Sequence, residues 1–253
     1  MSYLTDIHFE ICIVIPCYNE EKGLDKEAYF NFIDNHSNVL LCFVNDGSTD
    51  NTANILANFK EVYHKNIVVI NCEKNVGKAE AIRTAFKECN KDYNFTYIAY
   101  LDADLATSLE ECVSLTSYFN NSIQFIFGSR IMKVGSVIKR NKLRFLIGRI
   151  IATVISHILD LRVYDTQCGC KLFTKELSKV AFKDPFISKW LFDVEIFNRL
   201  MVHFGVDQST NHMLEVPLKR WVDEGDSKVK LTYIFKLWID LYKINKVCIA
   251  SRK

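Results

Sequence analysis

The chain has 253 residues, 49% of them hydrophobic and 25% charged, and 32 basic against 30 acidic side chains leave a formal net charge of +2. That length suits one large domain or two small ones around a substantial core, and the near-neutral balance sets aside nucleic acid as a partner. Three prolines and nine glycines leave little room for disordered linkers, and nine scattered cysteines, with Cys12, Cys42 and Cys72 inside apolar runs, read as buried free thiols of a reducing compartment.

The opening MSYLTDIHFE lacks the basic-then-apolar pattern of a signal peptide. Next comes EICIVIPC, a buried strand, and a helical stretch from about residue 24 to 35. VLLCFVND is a second strand, and DNTANILANFKEVYH a helix with Asp50 as its capping residue. IVVINC precedes a helix over about 78–89, and TYIAYLDA precedes one over about 108–119, after which IQFIFGS reads as a further strand. Apolar runs of this length separated by helices predict an α/β fold, a mainly parallel Rossmann-like sheet with helices on both faces.

From about Arg140 the pattern changes to a long apolar helix, an irregular YDTQCGCKLF, a helix DVEIFNRLMVHF, a strand HMLEVPLKRW and an amphipathic LTYIFKLWIDLYKI. The most membrane-like segment, 145–161, is interrupted by Arg149, His157 and Asp160, so it does not span a membrane but is able to lie on one. Lys133, Lys139, Arg140, Lys142 and Arg144 add a cationic stretch for an anionic lipid surface or a phosphate-bearing acceptor. No linker separates the halves, and one domain is expected over 1–253, with a nucleotide-binding half at about 8–131 and an acceptor-side half at about 132–253.

In a parallel sheet the ligand crevice lies beyond the carboxyl ends of the strands. Tyr18, Asn19 and Glu20 follow the first strand, Asp46-Gly-Ser the second, Asn75, Gly77 and Lys78 the third, and Asp102 and Asp104 the fourth. All four polar clusters therefore fall at one end, which predicts a shared site. Asp102 and Asp104 are hard oxygen ligands suited to Mg²⁺ or Mn²⁺ on a substrate diphosphate, although taken in isolation a turn with Asp104 capping the next helix is the commoner explanation of such a pair. Asp46 offers an acceptor for a nucleobase, Lys78 and Arg130 offer charge for phosphate, and Asp193 and Glu195 sit among large apolar residues, as a general base or a helix cap.

Taken in order, IVIPCYNEE, NDGSTDNT, NVGKAEAIR, LDADLATSLEE, GSR, DTQCGCKLF, WLFDVEI and EVPLKRW resemble the family 2 inverting glycosyltransferases of glycosyltransferase A-type fold. The resemblance is strongest to the branch of dolichyl-phosphate glucosyltransferases and dolichyl-phosphate mannose synthases, and it covers nearly the whole chain. It implies that Pro16, Tyr18, Glu20 and Asp46 surround the nucleotide, with Lys78 nearby. It implies that Asp102 and its neighbour Ala103 touch the nucleotide and that Asp104 holds the divalent metal. Arg130 would lie near the donor phosphates or acceptor, Gln167 in the loop lining the sugar or acceptor pocket, and Trp221 in a lid over the donor. Asp193 would be the base for a hydroxyl acceptor, whereas a phosphate acceptor needs none. The chain departs from the family pattern at Ala79, Ser108 and Asp226, where the relatives carry glycine, proline and glycine.

The expected activity is transfer of a hexose from a nucleotide diphosphate sugar, UDP-glucose first and GDP-mannose second, to a polyprenyl or dolichyl phosphate. Its expected location is the cytoplasmic face of a membrane, touched through residues 139–161. Rival readings are a glycan-extending transferase and a nucleotide-sugar binding module without turnover. Self-association is left open.

Overall fold

The computed structural model describes residues 7–139, 142–222 and 233–251, with the backbone alone at 142–144 and 233–236. In chain order the elements are β1 (His8–Cys17), α1 (Lys26–Asn35), β2 (Val39–Asn45), α2 (Thr52–Val62), β3 (Ile67–Asn71), α3 (Lys78–Asp92) and β4 (Asn94–Leu101). Then come α4 (Leu109–Ser114), continued by a 3₁₀ turn over Leu115–Tyr118, β5 (Phe125–Ser129), β6 (Val137–Lys139) and α5 (Lys142–Leu159). The remainder is β7 (Cys170–Thr174), α6 (Lys175–Ala181), α7 (Phe192–Phe204), β8 (Met213–Pro217), β9 (Arg220–Val222) and α8 (Tyr233–Ser251).

Local chemistry sets the helix starts. Asp25 caps α1 by accepting the Ala28 N–H at 3.0 Å, and Ser108 caps α4 by accepting that of Glu111 at 3.2 Å. Asp50, the expected cap of α2, accepts the Thr52 N–H at 3.0 Å, while Asn51, immediately before the helix, makes no side-chain cap.

Seven strands form one sheet in the order β3-β2-β1-β4-β7-β5-β8. β1 pairs in parallel with β2 and β4, β2 with β3, and β5 with β8; β7 alone runs antiparallel to its neighbours β4 and β5. Alternation along β1 sends Cys12 and Val14 to one face, against α3, α6 and α7, and Ile11, Ile13 and Ile15 to the other, against α1, α2 and α4. Burial on both faces explains why these strands read as continuous apolar runs. All nine cysteines are free, and all but the half-buried Cys72 are buried.

Two expectations need correction. The stretch read as irregular, YDTQCGCKLF, contains β7, a central strand whose Cys170, Leu172 and Phe173 are fully buried. The stretch HMLEVPLKRW is not one strand: β8 ends at Pro217, and the chain leaves the main sheet to form β9, which pairs in parallel with β6 in a two-stranded sheet. Among the described residues no helix is long and apolar enough to cross a membrane.

Candidate functional site

The carboxyl ends of β1, β2, β3 and β4 share one edge of the sheet, and so do their polar clusters. Because β7 runs the other way, it begins at that edge, and the loop before it, 164–169, enters the same site. The first two turns are laced together: the Asn19 N–H donates to Ser48 Oγ at 3.0 Å, the Thr49 N–H to Asn19 Oδ1 at 2.8 Å, and the Glu20 N–H to Thr52 Oγ1 at 2.8 Å. Gly47 permits this, with φ of +64° and a backbone so close to Asn75 that a Cβ would come within 2.5 Å of its nitrogen.

Asp46 is buried, and its carboxylate accepts the N–H groups of Val76 at 2.7 Å and Gly77 at 2.9 Å. Burial pushes its pKa up, and those two donors partly offset the effect. Asp46 therefore shapes the loop that presents Lys78. Pro16 lies near the end of β1, half-buried, and Tyr18 stands exposed beyond it with Glu20 half-buried.

Lys78 reaches across to Asp102 and forms an ion pair with its Oδ1. Burial alone would lower the Lys78 ammonium, but the charge and hydrogen bond of Asp102 outweigh it and raise its pKa. Asp104 accepts the Ala106 N–H at 3.1 Å. Its side chain reaches solvent, yet protein surrounds it closely enough that desolvation, and then the neighbouring Asp102 charge, push its carboxyl up; Lys78 counters only part of this. Between the two aspartates Ala103 packs its methyl group in the core, and its carbonyl accepts the Tyr29 hydroxyl at 3.0 Å. A solvent-facing carboxylate whose ionisation is made costlier by desolvation and by the neighbouring Asp102 charge offers hard oxygen atoms that fit a divalent cation. Asp104 is the residue that would hold one, with Asp102 beside it engaged by Lys78.

The loop before β7 is pinned from several sides. Arg130, just past β5, makes a bidentate pair with Asp165, Nε to Oδ2 at 2.6 Å and Nη2 to Oδ1 at 2.8 Å, and its guanidinium lies 5.2 Å from the Trp221 ring centre. Burial would raise the Asp165 carboxyl, but Arg130 holds it down at about 2. Glu215 accepts the N–H groups of Tyr164 and Asp165, each at 2.9 Å. Within the loop the Thr166 hydroxyl and the Gln167 amide nitrogen are buried without a hydrogen-bond partner, as expected of groups that wait for a polar ligand.

Behind the loop, Lys171 of β7 is fully buried; it donates to the Cys168 carbonyl at 2.6 Å and pairs with Asp193 at 2.7 Å, while Tyr100 donates its hydroxyl to the same carboxylate. Asp193 thus stands in the first turn of α7 as the acceptor of an ammonium and a hydroxyl, not as the helix cap, which is Leu191. Glu195 accepts the N–H groups of Ile187 and Ser188, a structural role that holds the turn before α7. Asp165, Lys171 and Tyr100 were not foreseen. A lysine between apolar residues in CGCKLF was the available sign of a buried countercharge. Asp226 and Arg140 lie outside the described residues.

A mostly parallel sheet whose carboxyl edge gathers paired aspartates, a lysine and an arginine defines the glycosyltransferase A-type fold. Glucosyl-3-phosphoglycerate synthase from Mycobacterium tuberculosis, solved with Mn²⁺, UDP-glucose and phosphoglyceric acid, shares it with a TM-score of 0.65 at 15% identity, over 94% of this chain and 80% of that one. The chain belongs to Glycosyl transferase family 2, whose profile matches residues 12–182. Two dolichyl-phosphate beta-glucosyltransferases of Trichomonas vaginalis are similar along most of its length. ALG5A is 33% identical over 92% of this chain and 72% of its own, and ALG5C 32% identical over 91% and 69%.

Proposed function

We propose that this chain transfers glucose, with inversion, from UDP-glucose to a polyprenyl or dolichyl phosphate, using Mg²⁺ or Mn²⁺. GDP-mannose is the alternative donor, in place of UDP-glucose. The observation that carries the reading is the Asp102–Asp104 pair beside Lys78 at the carboxyl edge of the sheet, a place for a nucleotide diphosphate and its cation. The names of the Trichomonas relatives support the sugar and the acceptor, and the mycobacterial neighbour's complex with Mn²⁺ and UDP-glucose supports the donor and the metal.

In this reading Pro16, Tyr18, Glu20 and Asp46 surround the nucleoside, Asp102 and Lys78 meet the nucleotide, and Asp104 is the metal ligand. A bound cation supplies positive charge to the leaving diphosphate. An oxygen of the acceptor phosphate forms a bond to the anomeric carbon as the bond to the donor diphosphate breaks, and the electron pair leaves on that diphosphate. Gln167 lines the sugar or acceptor pocket, Arg130 stands near the donor phosphates or the acceptor, and Trp221 belongs to the lid over the donor. The engagement of Asp193 by Lys171 and Tyr100 favours a phosphate acceptor, because a base role would have to compete with both partners, and an ionised phosphate needs no base. Asp193 then acts as a positioning residue for Lys171 and the loop it anchors. The exposed Leu146, Ile147 and Ile150 of α5 are the proposed contact with the cytoplasmic face of a membrane.

The test is a panel of nucleotide sugars with Mn²⁺ and a polyprenyl phosphate. One donor should release nucleoside diphosphate, and only when the acceptor is present. Donors that bind without turnover on lipid-phosphate or glycan acceptors would favour a binding module instead.

A further inference from the structure

We propose that Gly169 is a positioning residue that sets the Asp102 carboxylate against Lys78. The antiparallel register of β4 and β7 pairs Leu101 with Cys170, so the next residues outward, Asp102 and Gly169, face each other across the two strands. A Cβ at 169 would lie 2.5 Å from Asp102 Cγ and 2.9 Å from Oδ1, and closer still to Oδ2. Its three nearest atoms all belong to that one carboxylate. Gly169 is not among the glycines with positive φ, which are Gly47, Gly77, Gly135 and Gly205. Its backbone would therefore accept an L side chain, and the Asp102 carboxylate supplies the need for glycine.

The backbone on either side of Gly169 is not free to retreat. Cys168 is anchored through its carbonyl by the fully buried Lys171, and Cys170 is paired to Leu101 within the sheet. The mobile party is the end of the Asp102 side chain. A methyl group at 169 pushes it off the position in which it meets Lys78, so the loop of the acceptor side sets the geometry of a carboxylate on the donor side. That the carboxylate serves a nucleotide rests on the proposed function; the steric coupling does not.

A double-mutant cycle tests this, with Gly169→Ala, Asp102→Ala and the double variant. The readouts are UDP affinity in the presence of Mn²⁺, by calorimetry, and the denaturation midpoint. Gly169→Ala is expected to weaken UDP binding by about tenfold and to lower the midpoint, within the coupling range of residues in contact. In the Asp102→Ala background the same change should do neither, because the group it collides with is gone. If Gly169→Ala alone fails to fold, the double variant should fold. An equal penalty in both backgrounds, or wild-type UDP affinity and midpoint in Gly169→Ala, overturns the proposal. Should the chain bind no UDP at all, the proposed function fails, and the midpoint arm of the cycle still decides the role of Gly169.

Discussion

Replacing Asp165 by asparagine tests the ion pair that pins the loop before β7 to Arg130. The Arg130 side chain is 15% exposed and that of Asp165 8%, so the pair is shielded from solvent. Asparagine keeps one acceptor and removes the charge, leaving the guanidinium buried without its counterion; breaking such a pair from one side costs about 3–5 kcal/mol. A second route gives a similar figure. The Asp165 carboxyl is held at about 2 by Arg130. Against an unfolded value of about 3.9, that shift of roughly two pH units corresponds to about 2.5 kcal/mol. A carboxylate lowered in the folded state stabilises it above the unfolded pKa, and the contribution fades as pH falls through the folded one. The variant's deficit, read from urea unfolding, should therefore be about 3 kcal/mol near neutrality and should shrink between about pH 4 and pH 2. A deficit below about 0.5 kcal/mol, or one that does not change with pH across that window, refutes the reasoning.

Lys171→Met should be as severe, about 3–5 kcal/mol by denaturant unfolding, because it strands the Asp193 carboxylate in the core; adding Asp193→Leu should recover much of that loss. No recovery in the double variant would mean that Lys171 acts through the Cys168 carbonyl alone. The chain should co-sediment with anionic vesicles in a manner that salt weakens, and Ile150→Asp on the exposed face of α5 should reduce the bound fraction. Equal sedimentation of that variant and the wild type would place the contact elsewhere.

The parallel strands and the edge where the site forms are legible in the sequence because each apolar run ends in a polar cluster, and burial on both faces keeps the runs apolar throughout. β7 hides because Lys171 interrupts its apolar run, and the charge that makes this tolerable, Asp193, lies on a helix far along the chain. The same distance conceals the pairing of Arg130 with Asp165, without which Arg130 reads as a free phosphate ligand. Asp46 shows a different limit. Its position at the end of a strand marks it as a site residue, but only the fold shows that both oxygens are engaged by the loop at 76–77. The break between β8 and β9 follows Pro217, which lacks the N–H to extend a ladder, a signal present in the sequence and outweighed there by the run of apolar residues around it.

The proposed function makes Asp104, at the sheet edge, the ligand of the cation that assists glycosyl transfer. It is tested most directly by comparing wild type and Asp104→Ala with UDP-glucose, polyprenyl phosphate and Mn²⁺, following UDP release and lipid-linked product together. The expected result is turnover by the wild type and none by Asp104→Ala, with circular dichroism and unfolding midpoint unchanged in the variant. Full activity in Asp104→Ala would contradict it.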